Sequence, residues 1–148
     1  MSVNLNLQIR TASINDVEHI YNLYSSLSPD DLYMRFFSFK KITEEEIKNL
    51  ISRKALVTLI AEIDNNIVGE ASLYEDGEFS LVVSPNYRKM GIGTKLVEEL
   101  VNQAMEHKLD KIKFYTLPDN IPMIKIGKKL GFSLKFDEDE VFGIKYIH

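Results

Sequence analysis

Arg88-Lys89-Met90-Gly91-Ile92-Gly93-Thr94 lies between a strongly β-prone run, Phe79 to Val83, and an amphipathic helical pattern from Ile92 to Met105. In a glycine-containing loop that opens a helix, successive backbone N–H groups point one way, and the helix dipole adds partial positive charge at the same place. Arg88 and Lys89 add full charges. The stretch therefore reads as an anion cradle suited to a pyrophosphate. Two other glycine loops fail on residues. A dinucleotide-binding loop needs a third glycine where Leu96 stands, and it normally follows the first strand of its fold. A P-loop ends in Gly-Lys-Ser/Thr, whereas Gly93 is followed by Thr94-Lys95.

Composition narrows the class further. With 148 residues, 45% of them hydrophobic, the chain can bury one sizeable core, and a single domain over 1–148 is expected. The absence of Cys excludes disulfides, thiolate metal sites and a Cys nucleophile. The histidines His19, His107 and His148 are scattered, with no H-x-x-x-H pair, so no metal is expected. No apolar run approaches the ~20 residues that span a bilayer, and a cytoplasmic protein with no membrane partner is the expectation. The net charge of −4 argues against direct nucleic-acid binding and suits a cationic partner. Acidic residues cluster at Asp30-Asp31, Glu44-Glu45-Glu46, Glu75-Asp76-Gly77-Glu78 and Asp137-Glu138-Asp139-Glu140, mostly as solvated turns. Thr43 with Glu46 forms a capping box, which accounts for the second of these.

Along the chain the pattern predicts a strand over Leu5–Arg10, then a helix starting at Ser13-x-x-Asp16, with Val17, Ile20, Tyr21, Tyr24 and Leu27 on one face and Pro29 as its end. A second helix spans Thr43 to about Arg53. Strands over Leu56–Ile63, Ile67–Tyr74 and Glu78–Val83, joined by Asp64-Asn65-Asn66 and Glu75-Asp76-Gly77, make an antiparallel meander. The glycine loop and its helix follow. Lys111–Thr116 is then a strand that should run parallel to Phe79–Val83, because a helix connects them. A last helix, Asn120–Leu130, stops at Gly131, and two strands close the chain at Phe132–Phe136 and Val141–Ile147.

This order, with R-x-x-G-x-G after the fourth strand and Asn120 eleven residues before Gly131-Phe132, resembles the GNAT superfamily of acyl-CoA-dependent N-acyltransferases across essentially the whole chain. The resemblance implies an α/β fold in which a mixed, mostly antiparallel sheet splays between strands 4 and 5 and is flanked by about four helices. It implies acetyl-CoA as cosubstrate, with Arg88, Lys89, Met90, Gly91, Ile92, Gly93 and Thr94 on the pyrophosphate. Leu81, Val82 and Val83 would pair with the pantetheine arm, and Asn120 matches a position that contacts the pantetheine or acyl group. Asn120 also reads as a helix N-cap, and the two roles are compatible.

A narrower resemblance lies upstream. Ser28-Pro29-Asp30-Asp31-Leu32-Tyr33-Met34-Arg35-Phe36-Phe37 is similar to a segment of the Pat-type protein lysine acetyltransferases, and the bare domain is similar to archaeal Pat. That resemblance implies a lysine of a basic protein such as the chromatin protein Alba as acceptor. Tyr33, Phe36 and Phe37 then read either as packed core or as a wall for the substrate lysine stem.

The chemistry adds its own demand. A lysine with pKa near 10.4 is neutral in only about one part in a few thousand at pH 7, a cost of about 4–5 kcal/mol, so a base or a desolvating site is required. Glu78, at the start of the strand whose other end meets the cofactor, is the first candidate, and Glu70, one strand over, is the second. A backbone N–H of the fourth strand near Val82 or Val83 would meet the developing oxyanion. Many members carry a Tyr seven residues after the Asn to protonate the departing thiolate. Here that position is Gly127, leaving Tyr115, Tyr87 or water. The expected activity is acetyl transfer to a protein lysine; the alternatives are a small-amine or protein N-terminal acetyltransferase, or an acyl-CoA sensor without turnover.

Overall fold

The computed structural model describes residues 6–36 and 41–147, with Phe36 described by its backbone alone. β1 (Leu7–Thr11) pairs antiparallel with β2 (Val57–Ile63), β2 with β3 (Asn66–Leu73) and β3 with β4 (Phe79–Val83), giving a sheet of order β1-β2-β3-β4. The β2–β3 turn holds Asp64 and Asn65 in the left-handed region (φ 50 and 68), the conformation a tight hairpin with right-handed twist requires. At the β3–β4 turn Gly77 has φ 88, and a Cβ there would lie 2.4 Å from the Lys111 carbonyl oxygen. Only glycine lets that turn approach the next strand.

That next strand, β5 (Lys111–Thr116), follows α4 (Ile92–Glu106) and belongs to a second sheet of order β5-β7-β6, completed by β6 (Ser133–Phe136) and β7 (Val141–Tyr146). The two sheets touch at one parallel bridge, Glu78 with Lys113, where Lys113 N–H donates to the Gly77 carbonyl at 2.9 Å. Beyond it β4 and β5 pair with nothing between them. The parallel relation and the splay both match the expectation.

Alternation within the strands sorts side chains onto two faces. Leu59, Ala61, Ala71, Leu73 and Phe79 lie under Leu96, Val97, Leu100 and Ala104 of α4. Phe79, Phe114 and Phe132 stack edge-on at this seam, with ring centroids 5.4–6.0 Å apart, and tie the two sheets together. The opposite face carries Ile60 and Val82 beneath Ile20, Leu23 and Tyr24 of α1 (Val17–Ser25), Leu32 of α2 (Pro29–Phe36) and Ile47 of α3 (Glu44–Asn49).

Two local readings change. Pro29 opens α2 instead of merely closing α1, which ends at Ser25, so among the described residues five helices flank the sheets. Proline suits a first helical turn, and Ser28 caps it by accepting from Asp31 N–H at 3.1 Å. The second expected helix begins at its capping box, where Thr43 accepts from Glu46 N–H, but its last turn widens into a π turn over Leu50–Lys54. The 3₁₀ turn Ile14–Asp16 precedes α1, and Asp16 receives Ser13 N–H at 2.8 Å and the Arg10 guanidinium at 2.8 and 2.9 Å. Among the described residues no helix is long and apolar enough to cross a membrane.

Candidate active site

The gap between β4 and β5 opens into a cleft of about 490 Å³. Its floor is set by hydrogen-bond parity. Tyr74 N–H donates to the Glu78 carbonyl and Ser84 N–H to the Val68 carbonyl, so the even residues of β4, Ser80 and Val82, spend their backbone groups on β3. The N–H and C=O of Leu81 and the N–H of Val83 therefore face the cleft. Of the two expected donors this leaves Val83: Val82 is committed to Glu70 of β3, while Val83 and Leu81 are directed to the gap.

At the open end the cleft meets α4. Lys89 and Gly91 are both left-handed (φ 65 and 79), and Gly91 is the N-cap residue with no side chain on the first-turn amides. The N–H groups of Ile92, Gly93 and Thr94 are thus unclaimed by a cap, in a concave backbone that favours an anion. The two glycines serve different ends. Nothing lies within 4 Å of a Cβ built on Gly91, so its φ alone demands glycine; a Cβ on Gly93 would meet Ile126 Cδ1 at 3.0 Å.

Of the residues expected to hold the cofactor, Leu81, Val82, Val83, Arg88, Lys89, Gly91, Ile92, Gly93, Thr94 and Asn120 all line this cleft. Met90 does not; its side chain points out, 48% exposed. Asn120 caps α5 (Ile121–Lys129) by accepting from Met123 N–H at 3.4 Å, and its amide donates to Thr116 Oγ1 at 2.9 Å. Arg88 Nε donates to the Val83 carbonyl at 3.1 Å, and its Nη2 pairs with Asp31 at 2.9 Å. Sequence reasoning missed Asp31, Met34, Ser80 and Lys125, which also line the cleft. Asp31 and Met34 come from α2, whose helical state was not foreseen.

The two candidate bases differ sharply. Glu70 is fully buried and its carboxylate accepts from Tyr24 Oη, from Arg35 at 3.1 and 3.4 Å, and from Ser72 Oγ at 2.6 Å. It is the closed half of an ion pair. Burial alone would lower the Arg35 pKa, but the Glu70 charge holds it raised. Glu78 stands half-exposed at the bridge where β4 and β5 part. Desolvation, then the nearby Asp76 charge, pushes its carboxyl above the usual range, against weaker pulls from Lys113 and Arg35. A raised carboxylate is the better proton acceptor. Glu78 does not itself line the β4–β5 cleft but a neighbouring pocket with Arg53, Lys54, Tyr74, Glu75 and Asp76; along β4 it shares a face with Ser80, which does line the cleft.

Tyr33, expected on the acceptor wall, is half-buried on α2 and does not line the cleft. The Phe36 side chain and Phe37 lie outside the described residues. Tyr87 and Tyr115 both line the cleft, Tyr115 stacked on Phe142 with centroids 4.9 Å apart. Gly127 is buried against Phe114, where even a Cβ would lie 3.0 Å from the ring, so a tyrosine has no room. Among the described residues no group of three His, Cys, Asp or Glu side chains could hold a metal ion.

The sequence pattern of the Acetyltransferase (GNAT) family matches residues 17–132. The chain belongs to this acetyltransferase family. Among curated proteins it is 25% identical to the L-amino acid N-acetyltransferase AaaT of Escherichia coli (strain K12) over 97 residues, spanning 60% of this chain and 60% of that protein's length. It is 25% identical to an N-alpha-acetyltransferase of Sulfurisphaera tokodaii over 142 residues, 84% of this chain and 79% of that protein. Among solved structures, the GNAT domain of S. lividans PAT superposes with a TM-score of 0.86 at 20% identity, covering 98% of this chain and 95% of that one. The Salmonella typhimurium yncA structure with acetyl-CoA gives 0.77 at 18% identity, covering 96% and 93%. These structural likenesses are of fold. The expected closeness to Pat-type lysine acetyltransferases is not carried by the sequence relatives, whose names speak of amino-acid and N-alpha acetylation.

Proposed function

We propose that this GNAT-family protein is an acetyl-CoA-dependent N-acetyltransferase, acting as one domain, whose acceptor is an α-amino group. The observation that carries the reading is the splayed β4–β5 cleft, with uncommitted backbone groups on one wall and the left-handed Lys89–Gly91 loop at its mouth. Acetyl-CoA supplies the activated acetyl carbonyl when bound. The amides of Ile92, Gly93 and Thr94, with Lys89, would hold its pyrophosphate, and the Leu81 backbone would pair with its arm. Leu81 and Val83 offer N–H donors to a carbonyl oxygen in the gap. Glu78 takes the proton from the acceptor amine directly or through one water.

Magnitudes favour the α-amine. At the N-terminus of a peptide its pKa of about 7.7–8.0 makes the neutral form cost only about 1–1.4 kcal/mol at pH 7, against about 4–5 kcal/mol for a lysine. A half-exposed carboxylate with a raised pKa suits the smaller task. The names of the curated relatives support the same acceptor class. The second reading, a protein lysine, is favoured by the acidic turn Glu75-Asp76-Gly77 beside the base Glu78.

The test is a transfer assay with acetyl-CoA and three acceptor sets: free amino acids, peptides blocked on lysine, and lysine peptides blocked at the N-terminus, with products located by mass spectrometry. Acetylation of α-amines is expected. Product confined to the ε-amine, with turnover falling steeply between 0.1 and 1 M salt as the Debye length shrinks from about 10 to 3 Å, would select the lysine reading. Acetyl-CoA binding with no transfer to any amine would leave only a sensor.

A further inference from the structure

A pyrophosphate site is an odd place for a carboxylate, yet Asp31 lines this cleft. Its side chain is 19% exposed and pairs with Arg88 Nη2 at 2.9 Å, while Arg88 Nε is held by the Val83 carbonyl at 3.1 Å. The guanidinium of the loop's leading cation is therefore occupied from two sides. Asp31 is itself held in place. Its N–H is capped by Ser28 Oγ at 3.1 Å, and one turn later the same helix is pinned to the sheet by Arg35, whose guanidinium meets Glu70 at 3.1 Å with side chains 3% and 0% exposed. A carboxylate on so well anchored a helix is not a freely rotating surface group.

We propose that Asp31 is a built-in counter-ion that occupies Arg88 before the cofactor arrives and competes with the cofactor's pyrophosphate for it. This rests on the reading of the cleft as the acetyl-CoA site. An anion entering the cradle meets two opposing effects: the loop amides and Lys89 attract it, and the Asp31 charge repels it while holding Arg88. Exchange of one anionic partner for another keeps Arg88 paired throughout, so the loop keeps its shape when the site is empty. The consequence has a sign opposite to that of an ordinary structural ion pair. Removing Asp31 frees Arg88 and removes a like charge, and acetyl-CoA should bind more tightly.

Calorimetric titration of acetyl-CoA into the wild-type protein, Asp31→Asn and Arg88→Gln at low salt tests this. Asp31→Asn should tighten binding about fivefold, the size of one partly screened charge interaction, and Arg88→Gln should weaken it. Thermal melts give an independent readout. Without ligand Asp31→Asn should melt below the wild type, and with saturating acetyl-CoA the gap should narrow to what the carboxylate contributes at the start of α2, where it also accepts from Ser28 N–H at 3.4 Å. Affinity unchanged or weakened in a folded Asp31→Asn protein, or a melting gap that ligand does not narrow, overturns the counter-ion role. A wild-type protein that binds no acetyl-CoA overturns the reading of the cleft itself.

Discussion

Replacing Arg35 by Met tests how α2 is held against the sheet. The guanidinium is 3% exposed and makes two contacts to a Glu70 carboxylate with no exposure at all. Removal leaves that carboxylate in the core with only the hydroxyls of Tyr24 and Ser72 among the donors just described. Breaking a buried pair from one side costs about 3–5 kcal/mol, because an uncompensated charge remains. Against a domain stability of about 5–15 kcal/mol this is a large fraction. At about 2–4 °C per kcal/mol for a chain of this size, the midpoint should fall by about 6–20 °C. Urea titration and thermal melts at pH 7 measure it. The double variant Arg35→Met/Glu70→Met removes both charges and should recover most of the loss. A single variant within about 1 kcal/mol of wild type, or a double variant no better than the single, would refute the argument that the desolvated charge dominates.

Other expectations follow from the same geometry. Gly91→Ala should weaken acetyl-CoA binding tenfold or more, about 1.4 kcal/mol, through its φ of 79 and not through a clash; Gly91→Asn, which tolerates that conformation, should lose less, and calorimetry showing wild-type affinity for the Ala variant would sink the loop assignment. Gly127→Ala should cost about 1–3 kcal/mol because its Cβ would press on Phe114 at 3.0 Å and Leu134 at 3.2 Å, so a rise in melting temperature contradicts the packing argument. Hydrogen bonding from Arg10 lowers the Asp16 pKa from 3.8 to about 2. A depressed carboxylate pKa stabilises above the unfolded value and is lost as pH falls through the folded one. Asp16→Asn should therefore cost about 1 kcal/mol at pH 7, discounted because Arg10 is 42% exposed, and much less near pH 2, where the carboxylate is already largely protonated in the unfolded chain and partly in the folded one. Melts at both pH values check it.

The glycine loop and the cleft it borders were legible because they are made of backbone. Gly91, Gly93 and the strand before them announce a loop whose amides are exposed, whatever the neighbouring side chains do. The splay between β4 and β5 could be expected from the resemblance, but its cause, a single bridge at Glu78–Lys113 beside Gly77, is a tertiary fact. Helix α2 was hidden by Pro29, read as a stop although the Ser28 cap makes it a start. That misreading concealed Asp31 and Met34 as cleft residues. Glu70 and Glu78 look alike in sequence, each a carboxylate near a strand of the same hairpin. Only Arg35, 35 residues before Glu70, separates the closed ion pair from the free carboxylate.

The central claim is that Glu78 removes the acceptor's proton beside a cofactor held by the β4–α4 loop. Its most direct test is kcat/KM against pH for the wild type and Glu78→Gln, with acetyl-CoA affinity measured in parallel. The wild-type rate should climb as pH rises through the raised Glu78 pKa. Glu78→Gln should lose about 10²–10⁴ in kcat, lack that low-pH limb and bind acetyl-CoA as the wild type does. A Glu78→Gln protein with full activity and an unchanged limb would contradict the account.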